Sequence, residues 1–174
     1  GTKFEAYCKK AKEYGITTLT SVEHAIQGDL HMKFDIADKY GIKVVSGAEF
    51  YIVEDRFDKT KRDNYHIVII AKRKDGYEEI NRLISESWNK EAFYYRPRID
   101  LELIKSLNPD DFIVTTACVA GILNSKHMFM TVHKHFKNNL YVEVQPHIQD
   151  IQKKYNEMGI KVAKQFGLQL IAGT

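Results

Sequence analysis

Seven side chains able to hold a metal or move a proton fall where apolar, strand-like runs of this sequence begin or run out: Glu23, His24, Glu49, His66, Cys118, Glu143 and His147. Imidazole nitrogen, carboxylate oxygen and thiolate sulfur are all ligands for Zn²⁺, and the first two also suit Mn²⁺ or Fe²⁺. Several such groups gathered at one rim could hold more than one ion. A bound ion lowers the pKa of a water and clamps the oxygens of a phosphate during in-line attack. The chemistry this set points to is metal-assisted phosphoester hydrolysis. Singly, each residue reads more plainly: His66 or His147 as a hydrogen-bonded structural histidine, Cys118 as a small buried hydrophobe. Alternation alone does not say which face Glu143 takes. His31, His127, His133 and His135 fall in or near helical patterns and read as surface or packing residues.

Three basic groups could meet phosphate: 59–62 (KTKR), 72–74 (KRK) and Arg96-Pro97-Arg98. The first two read as solvated loops. Aromatic residues flank the third, and an arginine pair fixed around a proline suits a defined docking or phosphate contact through Arg96 and Arg98.

The elements that must position these groups alternate. Ile16 to Val22 is rich in β-branched residues and reads as a strand. Leu30, Phe34, Ala37 and Tyr40 give the spacing of one buried helix face over about 29–40, closed by Gly41. A strand over 43–53 follows. In such a βαβ unit both strand ends point to one side, the side that carries chemistry in parallel α/β folds. A helix over Phe4 to Tyr14 precedes it, and a charged loop over 54–64 follows. The rest reads as a buried strand at 65–71, a helix from a cap at Asp75 through Trp88, a short helix from Asp100, strands near 112–117 and 140–145, a mixed helix over 123–136, a helix striped by Ile151, Tyr155, Met158, Val162 and Phe166, and a last strand at 168–172. This predicts an α/β fold with parallel strands, barrel-like because neither GxGxxG nor a P-loop is present.

At 174 residues the chain is read as one domain, 1–174, and its net charge of +3 is compatible with a polyanionic partner without requiring one. Two cysteines give no disulfide framework, which favours a reducing, cytoplasmic setting. No apolar run is long enough to cross a bilayer. A chain that opens on a helix and ends on a strand reads as a fragment whose first strand is missing.

Beyond these residue-level readings, a set of motifs recurs in order: the strand-EH-helix-strand-GAEFY unit, NYHIVIIAK at 64–72, YYRPRI at 94–99, TACVAG at 116–121, EVQPH at 143–147 and IAGT at 171–174. Together they resemble the PHP (polymerase and histidinol phosphatase) domain at the N-terminus of bacterial and phage C-family replicative polymerases, the DNA polymerase III alpha subunits. The resemblance implies a distorted (βα)7 barrel with two to three divalent ions (Zn, Mn or Fe) in an intact domain. It implies His24, Glu49, His66 and Cys118 as ligands, with Glu23, Glu143 and His147 behind them. It implies either a metal-dependent 3′–5′ exonuclease or phosphoesterase, or an inactive scaffold for the polymerase. The expected partners are the palm and thumb of the same chain, DNA and replisome proteins, in the nucleoid or, for a phage, in the host cytoplasm. A free-standing phosphatase of small phosphate esters and a metal-free interaction module are the rival readings. Two motifs depart from the family: Asp-His-Gly is here Glu23-His24-Ala25, and Gly-Cys-Glu is Gly47-Ala48-Glu49. The family's first and last ligand motifs would lie beyond the two ends of this sequence.

Overall fold

In a computed structural model, which describes residues 3–173, the chain forms one curled, mostly parallel sheet backed by helices. The expected IAGT ending is therefore described only as far as Gly173. Strand β1 (Thr18–His24) and β2 (Lys43–Val53) are parallel around α2 (Leu30–Lys39). Glu23 and His24 close β1 from inside it, and Glu49 lies within β2, well short of its end.

The expectation of uniformly parallel strands is corrected at β3 (Tyr65–Ala71). It runs antiparallel to β2 and to β5 (Phe112–Thr115). The reason is the 54–64 segment, which contains no helix. Without a crossover element, consecutive paired strands must reverse. Parallel pairing resumes between β5 and β6 (Leu140–Val144) and between β6 and β7 (Leu170–Ala172). Among the described residues β1 and β7 are the two edges of an open, half-barrel sheet. A short strand hidden in the aromatic and basic stretch, β4 (Arg98–Asp100), pairs with β2 just beyond the end of β1. One edge of β2 is thus handed from β1 to β4 at His24.

Side chains alternate across a sheet, so register sorts the residues into two faces. One carries Ala48, Phe50, Ile52, Ile67, Ile69, Phe112 and Val114 against α3 (Lys74–Trp88), α4 (Leu101–Ser106) and α5 (Lys126–Phe136). Burying each large side chain contributes about 1.5–3 kcal/mol, which makes this layer the main support of the fold. The opposite, concave face has a smaller apolar floor of Val22, Val45, Val68, Ile70, Ile113 and Ala117. A separate cluster of Cys8, Ala11, Ala37 and Ile42 seats α1 (Phe4–Glu13) on α2.

Two helix readings shift. Asp75 lies in the first turn of α3, whose N-cap position is Arg73 and has no side-chain cap. Helix α6 (Asp150–Phe166) buries Gln152, Tyr155, Gly159 and Ala163, while Ile151 from the expected stripe is 66% exposed. A Cβ at Gly159 would stand 2.9 Å from Val142 Cγ1, so the glycine lets α6 lie close on β6 and sets which face is buried. Among the described residues no helix is long and apolar enough to cross a membrane.

Candidate metal centre

Strand register alone brings three expected ligands together. His24 is paired with Glu49 across β1 and β2, and Tyr51, two residues further along the same face, is paired with His66. His66 opens its strand rather than ending it, and the reversal of β3 is what carries it to the rim where β1 ends. His66 Nδ1 lies 2.6 Å from Glu49 Oε1, and His24 Nε2 lies 3.6 Å from the same oxygen. One ligand atom from each of the three falls within 4.8 Å of the others.

Cys118 arrives by a tight loop after β5. Its Sγ is 3.4 Å from His66 Nδ1 and 4.0 Å from Glu49 Oε1. The loop is folded hard: the Gly121 N–H donates to the Cys118 carbonyl at 2.7 Å, and the His66 N–H donates to the Ala120 carbonyl at 2.9 Å. The Tyr155 hydroxyl, brought in by α6, donates to the Thr116 carbonyl at 3.2 Å. A Cβ at Gly121 would overlap the Thr116 carbonyl and the Tyr155 hydroxyl, so this position admits only glycine. Ala117 (φ 57°) and Ala25 (φ 50°), each beside an expected ligand, sit in the left-handed region. Backbone strain of this kind persists where the surroundings hold it, and it concentrates at functional sites.

Burial acts to lower the pKa of His66, but the hydrogen bonds its ring donates to Cys118 and Glu49, together with the charge of Glu49, outweigh it and raise the pKa to about 9. The pocket therefore favours positive charge at this point. Two imidazoles, a carboxylate and a thiol converging around one such spot are a donor set that fits a divalent ion. A consequence follows for chelator-treated protein. A raised folded-state pKa gives stability that is complete below the unfolded value of 6.5 and is lost as pH rises through about 9. Urea unfolding referenced to His66→Gln should show this loss, on the order of 3 kcal/mol, across that window. A flat difference from pH 6.5 to pH 9 would contradict it.

The other expected site residues are placed elsewhere. Glu23 faces away from His24; its carboxylate is held by Lys33 and accepts from the Gly28 N–H at 3.3 Å. Glu143 accepts from Thr115 Oγ1 at 2.5 Å and from Gln145 Nε2 at 2.8 Å, outside the three-residue group. His147 is exposed after β6 and lines a shallow cleft with Cys118, Val119 and Gln145. Arg98 corrects the docking expectation. It is 1% exposed, and its guanidinium donates to the carbonyls of Arg56, Asp58, Lys61 and Ala92. Arg96 is exposed, its guanidinium carbon 5.5 Å from the Tyr51 ring centroid.

Tyr51 was not among the expected residues. Its ring centroid lies 5.0 Å from that of His66, edge-on, and 5.8 Å from that of His24. The available signal was its position two residues past Glu49 on a strand, which fixes the same face. Trp88, expected only as the end of a helix, has a further role. Its indole N–H donates to the Ala25 carbonyl at 2.8 Å, pinning the chain just after His24.

Residues 2–165 match the PHP domain family. The DNA polymerase III subunit alpha of Aquifex aeolicus is 31% identical over 190 residues, covering 98% of this chain and 16% of that protein. Its counterpart in Borreliella burgdorferi is 29% identical over 185 residues, again covering 98% of this chain and 16% of the relative. The chain thus spans about 16% of the length of these curated relatives. A solved structure from Bifidobacterium adolescentis, assigned as a metal-dependent phosphoesterase, superposes with a TM-score of 0.63 at 9% identity, covering 99% of this chain and 82% of the other. At that identity the likeness is one of fold.

Proposed function

This chain belongs to the PHP domain family, and from that premise we propose that it is the PHP domain of a replicative DNA polymerase III alpha subunit. On this reading residues 1–174 are one domain, and its cluster holds one or more divalent ions and hydrolyses a phosphoester. The observation that carries the reading is Glu49 Oε1 lying 2.6 Å from His66 and 3.6 Å from His24, with the Cys118 thiol alongside. The thiol favours Zn, while the imidazole and carboxylate pair also admits Mn or Fe. When bound, such an ion lowers the pKa of water and steadies the oxygens of a phosphate.

The residues themselves prepare the place. Glu49 supplies the negative charge, β1 and β3 aim the two imidazoles at it, and the 116–121 loop brings the thiol. His66 must give up its proton to act as a ligand, which couples ion uptake to pH. Lys33 holds Glu23 away from this cluster, so Glu49 is the carboxylate that faces the two imidazoles. The rest of the polymerase chain, DNA and replisome proteins are the proposed partners, and a cytoplasmic setting suits its two free cysteines.

Incubation with 3′-labelled single-stranded DNA and Mn²⁺ tests the hydrolytic part. Release of nucleotide above a His66→Ala control is expected; none above that control would reject it.

A further inference from the structure

The stretch 94–98 is held more firmly than a surface segment requires. Arg98 anchors it from below through its four carbonyl contacts. Four residues earlier the Tyr94 N–H donates to the Arg96 carbonyl at 3.1 Å, closing a tight turn. Tyr95 at its tip has φ 59°, a left-handed conformation that costs a bulky L-residue about 1–2 kcal/mol. Arg62 holds that conformation in place: its guanidinium carbon lies 3.8 Å over the Tyr95 ring, and it donates to the Tyr95 hydroxyl.

The product of this construction is Arg96. It is exposed, rests over Tyr51, and among the described residues forms no ion pair with a carboxylate. Tyr51 in turn touches the rings of both His24 and His66. A guanidinium is a planar fork of donors that matches two phosphate oxygens, and stacking on a ring fixes its plane in advance. The lysines of the 54–64 loop, Lys59 and Lys61, are exposed point charges stacked on no ring among the described residues, and Lys59 donates to the Lys90 carbonyl at 3.3 Å.

We propose that Arg96 is the substrate-phosphate contact of this site, and that Tyr51 and the strained turn at 94–96 are positioning residues that aim it at the metal cluster. The proposal rests on the phosphoester reading and names the residue that reads the phosphate.

Titration of the intact chain with inorganic phosphate, followed by NMR at the Arg96 Nε–H and the 94–96 amides, tests it with zinc and again with EDTA. Saturable shifts at these groups are expected in both states, tighter with zinc. Arg96→Ala should weaken phosphate binding at least about tenfold and Arg96→Lys should recover only part of it, with unchanged thermal unfolding. Tyr51→Phe should retain the affinity and Tyr51→Leu should lose it. Phosphate affinity unaltered in Arg96→Ala in both states, or no binding in either, overturns the proposal. A chain that takes up no zinc yet shows Arg96-dependent phosphate binding would overturn the metal reading and leave the Arg96 assignment standing.

Discussion

Glu49→Gln is expected to weaken divalent-ion binding by at least about a hundredfold, or about 2.7 kcal/mol, in competition titrations with a chromogenic chelator. One oxygen of Glu49 is the point on which the cluster converges: His66 at 2.6 Å, His24 at 3.6 Å and the Cys118 sulfur at 4.0 Å. Glutamine keeps the shape and removes the charge, so ion affinity falls, and in metal-free protein the part of the stability that the charged His66 draws from Glu49 falls with it. The same substitution has a second signature without metal. Glu49 contributes both a hydrogen bond and a charge to the raised pKa of His66, so an NMR titration of EDTA-treated Glu49→Gln should find that pKa well below 9. Ion affinity within a few-fold of the parent, or a His66 pKa still near 9, would show that Glu49 is not the centre of the site.

Arg98→Ala should be the most damaging single substitution for stability, with a loss of about 3–5 kcal/mol in urea unfolding. The buried guanidinium gathers carbonyls from Arg56, Asp58 and Lys61 in the long loop and from Ala92. Removing it leaves those acceptors facing a cavity. Burial lowers the pKa of Arg98, and the nearby Asp58 charge and Tyr94 ring oppose that without a direct carboxylate partner. Arg98→Met restores volume and hydrophobic contact but no donors, so it should recover only a minor part. The loop then loses its anchor, and trypsin should cut after Lys59, Lys61 or Arg62 in the variant much faster than in the parent. A loss under about 1 kcal/mol with unchanged proteolysis would mean that the loop is held by something else.

Much of this architecture could be read from residue pattern, because its largest elements announce themselves. The 43–53 run of β-type residues coincides with β2, and Tyr65–Ala71 with β3. His24 and His66 lie at strand boundaries as read, but Glu49 lies inside β2, and it meets the two imidazoles through strand register, which local sequence does not contain. The direction of β3 was missed because a buried strand has the same composition either way; the helix-free 54–64 segment was the one available clue. β4 is only three residues long and is defined by its pairing with β2, which local sequence does not contain. Arg98 looked like a surface group because arginine usually is one, and its acceptors lie up to 42 residues away in the chain. Glu23 was linked to His24 by adjacency, yet neighbours on a strand face opposite ways, and Lys33 completes the separation.

The central claim is that imidazoles from two strands and a carboxylate from the strand between them share an ion. Anomalous diffraction from crystals grown with zinc tests this most directly. The predicted result is a peak bonded to His24 Nε2, Glu49 Oε1 and His66 Nδ1 at about 2.0–2.2 Å, with the Cys118 sulfur nearby at about 2.3 Å if it joins. Zinc bound elsewhere on the chain with these side chains free, or no peak at all, would contradict it.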